Sequence, residues 1–90
     1  MNDSKNKVAI VTGGGSGIGK ASAVALANDG YSVVITGRRE EPLNNTVKEI
    51  GSDKVFAITC DVGQPESVKN LFSKTLEKYG RLDVLFNNAG

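Results

Sequence analysis

Four short apolar segments alternate with three segments of helical spacing, and this order is the feature that most restricts the fold. The helical patterns span residues 18–28, 42–50 and 65–79, and the apolar runs span residues 7–12, 31–36, 54–59 and 82–86. A glycine follows each helical segment closely, as is typical of helix C-termini. Strands that alternate with helices predict a parallel sheet with helices packed on its faces.

The rules of strand connection predict one order for such a sheet. Because crossovers between parallel strands are right-handed, a doubly wound sheet of four strands has the order 3-2-1-4. The first two helices then cover one face and the third helix covers the other. Ligands of such sheets bind at the carboxyl ends of the strands, where the order reverses between strands 1 and 4. The predicted fold class is therefore α/β, a partial Rossmann-type doubly wound parallel sheet.

The third helical segment has an apolar stripe that predicts which of its side chains are buried. At helical spacing, one face carries Val68, Leu71, Phe72, Thr75, Leu76 and Tyr79. We expect this face to pack on the sheet. Cys60 ends the third apolar run and is predicted to be a small core residue without a chemical role.

Composition excludes several classes of function. Ninety residues make one domain or part of one, and the net charge is +1 without a long basic run. Nothing therefore favours nucleic acid or a membrane as a partner, and no apolar run approaches the ~20 residues of a membrane span. The single cysteine permits no internal disulfide and predicts a reducing, cytoplasmic location. The absence of histidine removes the commonest metal ligand and general base, so we predict no metal site.

A glycine-rich segment follows the first strand, and it allows two interpretations. Five of the seven residues at positions 13–19 are glycine. A loop of this kind before a helix brings backbone amides and the positive end of the helix dipole to a phosphate. Counted from Gly14, it approaches the triphosphatase P-loop, but Ala21 stands where a hydroxyl residue binds Mg²⁺. Counted from Thr12, it reads T-G-x-x-x-G-x-G and resembles the loop that holds the dinucleotide in nicotinamide-dependent reductases.

Three short motifs resemble those of the short-chain dehydrogenase/reductase family. TGGGSGIG at residues 12–19 is similar to the family's cofactor loop, and NNAG at residues 87–90 is similar to a motif after its fourth strand. Asp61-Val62 resembles the pair that follows the third strand. The motifs occur in the family's order and cover essentially the whole chain. The resemblance implies an NAD(P)-dependent oxidoreductase that reduces carbonyls or oxidises alcohols of small molecules by hydride transfer.

The resemblance also implies which residues bind the dinucleotide. Asp61 would hold the adenine amino group and the backbone of Val62 would contact a ring nitrogen, although Asp61 has the alternative role of capping its own loop. Asn87 is expected to be structural and to tie the fourth strand to its neighbour. The remaining implied contacts come from the glycine loop and the last motif, namely Gly13, Ser16, Gly17, Ile18, Gly19, Asn88, Ala89 and Gly90.

The end of the second strand predicts which form of the cofactor is bound. An acidic residue there accepts a hydrogen bond from the ribose of NAD, whereas an arginine favours the 2′-phosphate of NADP. Gly37 stands where NAD-preferring relatives carry aspartate, and Arg38 and Arg39 follow it. Because guanidinium groups suit a phosphate dianion, NADP is favoured over NAD, with Arg38 as the main contact and the Ser16 hydroxyl as a second one. The alternative is that both arginines are solvated and pair with the two glutamates that follow.

The catalytic residues of the family do not occur in these 90 residues. Its members use a tyrosine and a lysine four residues later, but Ile35 follows Tyr31 and Asp83 follows Tyr79 at that spacing. We therefore expect the N-terminal cofactor-binding portion of a longer reductase, inactive alone, with any homo-oligomer formed through segments beyond Gly90. The alternative is a stand-alone dinucleotide-binding module without catalysis. The exposed apolar edge that the last strand would then present disfavours it.

Overall fold

The computed structural model describes residues 7–15 and 17–87, and the expected alternation of strands and helices is confirmed there. The elements are β1 (Val8–Thr12), α1 (Gly17–Asn28), β2 (Ser32–Gly37), α2 (Glu40–Ile50), β3 (Val55–Thr59), α3 (Pro65–Tyr79) and β4 (Val84–Phe86). Helix α2 begins two residues before its predicted start, and β4 begins two residues after its own. Helices α2 and α3 end at glycines in the left-handed region, as the sequence predicted.

The four strands form one parallel sheet in the order β3-β2-β1-β4, as predicted. Strand β1 lies in the middle, and its register pairs Thr12 with Thr36 and Val11 with Phe86. All five residues of β1 are buried, which explains why its sequence is an uninterrupted apolar run rather than an alternating one. The carboxyl ends of the strands therefore meet at one edge, which we call the carboxyl edge of the sheet.

Two apolar layers cover the two faces of the sheet. Because successive strand residues point to opposite faces, neighbours in β1 and β2 contribute to different layers. The layer beneath α1 and α2 contains Val11, Ala23, Val33, Ile35, Leu43 and Val55. The layer beneath α3 contains Ile10, Val34, Ile58, Cys60 and Leu71. This division confirms that the first two helices share one face, and it confirms that Cys60 is buried.

One residue of the predicted α3 stripe is exposed. Leu71 and Thr75 are fully buried, but the side chain of Leu76 is 50% exposed. At about 100° per residue, Leu76 lies on the flank of the stripe beyond Phe72. That flank faces β4, because Phe72 and Leu85 line the same cleft. Strand β4 is the edge strand of the described sheet, so no further strand lies beneath that flank, and the prediction that Leu76 is buried was wrong.

Asp83 joins the starts of β1 and β4 at the amino ends of these strands. Its Oδ2 accepts hydrogen bonds from the Val8 N–H at 2.8 Å and from Arg81 Nε at 2.9 Å. Its Oδ1 lies 2.6 Å from Arg81 Nη2. The Arg81 guanidinium, followed by the Val8 N–H, lowers the pKa of the Asp83 carboxyl. The carboxylate thus links the two strands on the side of the sheet away from the carboxyl edge.

We expect Asp83→Asn to destabilise the protein modestly at neutral pH, with the difference from wild type disappearing in acid. A carboxyl whose pKa is lowered by folding stabilises above its unfolded pKa, and the contribution is lost as the pH falls through the folded pKa. The effect is modest because the pair is exposed to solvent. Urea-unfolding midpoints of both proteins across the acidic range measure it. A difference that stays constant down to the most acidic pH would exclude the carboxylate as its cause.

In residues 7–15 and 17–87, no helix combines the length and the apolar character that crossing a lipid bilayer requires.

Candidate functional site

The glycine loop runs from the end of β1 to the start of α1. Gly13 and Gly17 have φ angles of 67° and 56°, which glycine adopts far more readily than other residues. The N–H groups of Gly13 and Gly14 both donate to the carbonyl oxygen of Thr36, at 2.8 and 3.2 Å. These two amides fasten the loop to β2. The amides suited to an anion are therefore those in the first turn of α1, which have no acceptor within the helix.

Two glycines that the motif leaves unspecified are required by packing. A Cβ atom on Gly14 would lie 2.6 Å from Ile35 Cβ, and one on Gly15 would lie 2.7 Å from Pro42 Cβ. Any side chain at either position would displace β2 or α2. A Cβ on Gly17 would meet nothing within 4 Å. The loop is thus pressed against the fold at Gly14 and Gly15 and open to a ligand at Gly17, as a phosphate-binding turn requires.

The first turn of α1 supports the dinucleotide interpretation over the triphosphatase one. Lys20 forms an ion pair with Glu49 of α2, so its ammonium group is directed toward that helix. The lysine of a P-loop must instead reach the phosphates. Gly19 is buried, whereas Ile18 is 68% exposed beside the open side of the turn. Ser16 lies outside the described residues.

A cleft of about 220 Å³ joins the glycine loop to the end of β2. Arg38 and Arg39 are exposed and line this cleft together with Gly13, Gly15 and Gly37. In the described part of the chain, neither guanidinium lies within ion-pair distance of a carboxylate. The alternative that both arginines pair with the glutamates after them is therefore not supported. The cleft offers cationic donors beside the loop, which suits a phosphorylated ligand.

A second cleft, of about 390 Å³, lies at the carboxyl edge and is lined by both Asp61 and Arg38. Asp61 Oδ1 accepts a hydrogen bond from the Gly63 N–H at 2.9 Å, so the loop-capping role is present. A carboxylate can accept several hydrogen bonds, so this local contact leaves capacity for a ligand donor. Cys60, which is 3% exposed, lies in the wall of this cleft. Arg38 lines both clefts, so the cleft that contains Asp61 and the cleft beside the glycine loop adjoin at this residue.

A third cleft, of about 320 Å³, lies beside β4 and is lined by Val62, whereas the neighbouring Asp61 lines the second cleft. The side chain of Val62 is 49% exposed and borders this cleft with Thr12 and Asn87. Thr12 Oγ1 donates to Asn87 Oδ1 at 3.1 Å. The side chain of Asn87 thus ties β4 to β1, the structural role that its position predicted. Asn88, Ala89 and Gly90 lie outside the described residues.

A wider groove of about 580 Å³ lies along the outer edge of β3, away from the glycine loop. Phe56 is 41% exposed there, and Lys78 Nζ lies 4.6 Å from the centre of its ring. Lysines beside an unpaired strand discourage pairing with another chain. This groove has neither the loop nor the two arginines, so we place the functional site at the carboxyl edge.

Comparison with known proteins agrees with this geometry. Short-chain dehydrogenase reductase 3a of Arabidopsis thaliana is 51% identical over 85 residues, which are 93% of this chain and 33% of that protein. The crystal structure of a short chain dehydrogenase from Bacillus anthracis matches 96% of this chain and 35% of its own, with a TM-score of 0.92 and 40% identity. Actinorhodin polyketide ketoreductase, crystallised with NADPH, matches all of this chain and 35% of its own, with a TM-score of 0.90 and 40% identity.

This chain spans about a third of the length of these relatives. The matched part of this chain includes the glycine loop and the end of β2 described above. The family model for short chain dehydrogenases matches residues 7–90. The chain therefore belongs to the short-chain dehydrogenase/reductase family.

Proposed function

We propose that the protein is an NADP-dependent oxidoreductase and that residues 1–90 are its N-terminal cofactor-binding portion. The observation that carries the proposal is the position of Arg38, which borders both the loop cleft and the Asp61 cleft. A dinucleotide lying across the carboxyl edge would meet a guanidinium between its pyrophosphate and its adenine. The ketoreductase that matches the whole chain was crystallised with NADPH, which supports the same cofactor.

In this proposal the described residues bind and orient the cofactor. The amides of Gly17, Ile18 and Gly19 face the pyrophosphate with the positive end of the α1 dipole behind them. Arg38 and Arg39 hold the 2′-phosphate by charge-assisted hydrogen bonds. The adenine amino group donates to Asp61, and the backbone of Val62 contacts the ring. Gly13 shapes the turn, and sequence alone supports the four remaining contacts, Ser16, Asn88, Ala89 and Gly90.

The nicotinamide of the bound cofactor would supply hydride chemistry at a carbonyl or alcohol carbon of a small molecule. The tyrosine and lysine that relatives use are not among these 90 residues, so the proposal assigns no catalytic role within them. A cytoplasmic location, and a homo-oligomer formed through segments beyond residue 90, belong to the same proposal.

Binding measured without a metal ion tests this function. We expect calorimetry in the presence of EDTA to show NADP⁺ binding that is tighter than NAD⁺ binding, because the two arginines meet a phosphate that NAD⁺ lacks. ATP with and without Mg²⁺ is the control for the triphosphatase interpretation. Mg²⁺-dependent ATP binding together with no NADP⁺ binding would refute the proposal.

A further inference from the structure

The hydroxyl of Ser67 forms a hydrogen bond with Asp61 and does not cap its own helix. Ser67 is the third residue of α3, and its Oγ accepts the backbone N–H of Asp61 at 2.9 Å. Gln64, which precedes the helix, makes no capping hydrogen bond with its side chain. A side chain in the first turn of α3 therefore reaches back to the end of β3 while the helix start has no side-chain cap from Gln64.

This hydrogen bond is one of three that restrain Asp61. The Gly63 N–H donates to Asp61 Oδ1, and the Gln64 N–H donates to the Asp61 carbonyl oxygen, both at 2.9 Å. Ser67 engages the remaining backbone group, the Asp61 N–H. With its N–H, its carbonyl and one carboxylate oxygen engaged, Asp61 has little freedom to rotate.

Ser67 also borders the cleft in which Asp61 and Arg38 lie. The cleft is lined by Arg38, Thr59, Cys60, Asp61 and Ser67, of which only Arg38 and Asp61 carry charge. Ser67 is half-buried in this wall. Ser67 thus lies in the cleft wall beside Asp61, whose backbone N–H it accepts.

We propose that Ser67 is a positioning residue for adenine recognition, because it orients Asp61 so that the carboxylate accepts the adenine amino group of NADP. The inference rests on the proposed function. It has a specific consequence: loss of the Ser67 hydroxyl weakens the preference for a base that carries an amino group. A residue that only stabilised the fold would weaken binding of every dinucleotide alike.

The test compares NADP⁺ with its deamino analogue, in which hypoxanthine replaces adenine and the amino donor is lost. We expect the wild-type protein to bind NADP⁺ about tenfold more tightly than the analogue, as for one hydrogen bond to a charged group. Ser67→Ala should reduce this preference by about threefold or more, and Ser67→Thr, which keeps the hydroxyl, should restore it. Ser73→Ala, at an exposed serine of the same helix, is the matched control and leaves the preference unchanged.

A double-mutant cycle with Asp61→Ala, which removes the side-chain acceptor, shows whether Ser67 acts through Asp61. In that background, Ser67→Ala should have no further effect on the preference. Unfolding midpoints establish that each variant is folded. If Ser67→Ala does not fold, Ser67→Cys, whose sulfur is only a weak acceptor, takes its place.

Three outcomes would overturn the inference, and they are distinguishable. If Ser67→Ala weakened the binding of both dinucleotides equally, Ser67 would have only a structural role. A wild-type protein that binds NADP⁺ without preferring the amino group removes the role of Asp61 but leaves the proposed function intact. A wild-type protein that binds neither dinucleotide overturns the proposed function and this inference together.

Discussion

We expect Arg38→Asp to raise the dissociation constant for NADP⁺ by more than about tenfold and to tighten the binding of NAD⁺. Arg38 borders both clefts at the carboxyl edge, and in the proposed function its guanidinium meets the 2′-phosphate of NADP⁺ there. An aspartate at this position repels the phosphate dianion and accepts a hydrogen bond from the ribose 2′-hydroxyl of NAD⁺. Titration of each variant with both nucleotides gives the ratio of dissociation constants.

Two further variants separate a local contact from a change in net charge. Arg39→Asp should shift the ratio less, because Arg39 borders only the cleft beside the loop. Lys48→Asp changes the net charge equally, at an exposed position in the last turn of α2, and should leave the ratio unchanged. If Arg38→Asp and Lys48→Asp gave the same ratio, the assignment of Arg38 to the 2′-phosphate would be wrong.

We expect Gly14→Ala to lower the free energy of unfolding by about 3 kcal/mol, at the upper end of the range for overpacked cores. The new methyl group would lie 2.6 Å from Ile35 Cβ and 2.8 Å from Ile35 Cγ2. Ile35 is fully buried in the layer beneath α1 and α2 and cannot move aside. Domains are stabilised by only about 5–15 kcal/mol, so the loss is a large fraction of the total. Equilibrium unfolding in urea, followed by circular dichroism, measures it.

Gly37→Ala is the matched control for this effect. A Cβ atom on Gly37 would come no closer than 3.6 Å to Leu43, which is an ordinary contact. Neither Gly14 nor Gly37 has a positive φ, so the two variants differ in packing and not in backbone strain. We expect Gly37→Ala to change the free energy of unfolding by less than about 0.5 kcal/mol. Equal stabilities for the two variants would show that the contact with Ile35 does not constrain Gly14.

The topology was predictable because it depends on patterns that are local in the chain. An uninterrupted apolar run marks β1 as buried on both faces, and right-handed connections leave one arrangement for four alternating strands. The burial of Leu76 was predicted wrongly because burial depends on contacts that are distant in the chain. A helical stripe shows which residues share a face, but not how far the sheet extends beneath them, and the described sheet ends at β4 below that flank.

The same distinction applies to the candidate site. The glycine loop and the two arginines were recognisable because each is a short segment at the end of a strand. The packing of Gly14 on Ile35 and of Gly15 on Pro42 joins segments that are distant in sequence, and only the run of three glycines hinted at it. The hydrogen bond from Asp61 to Ser67 spans the turn between β3 and α3, where serine has many roles and its presence alone indicates none. Roles for Ser16, Asn88, Ala89 and Gly90 stay predictions from the sequence.

The contact of Gly15 with Pro42 has a consequence for how cofactor choice can change. Pro42 lies in the first turn of α2, three residues after Arg39. An insertion or deletion in the β2–α2 connection would shift Pro42 and push on the glycine loop, whereas an exchange of side chains would leave the backbone in place. Evolution and protein engineering alike should therefore alter nucleotide preference in this chain by substitution and keep the length of the β2–α2 connection fixed.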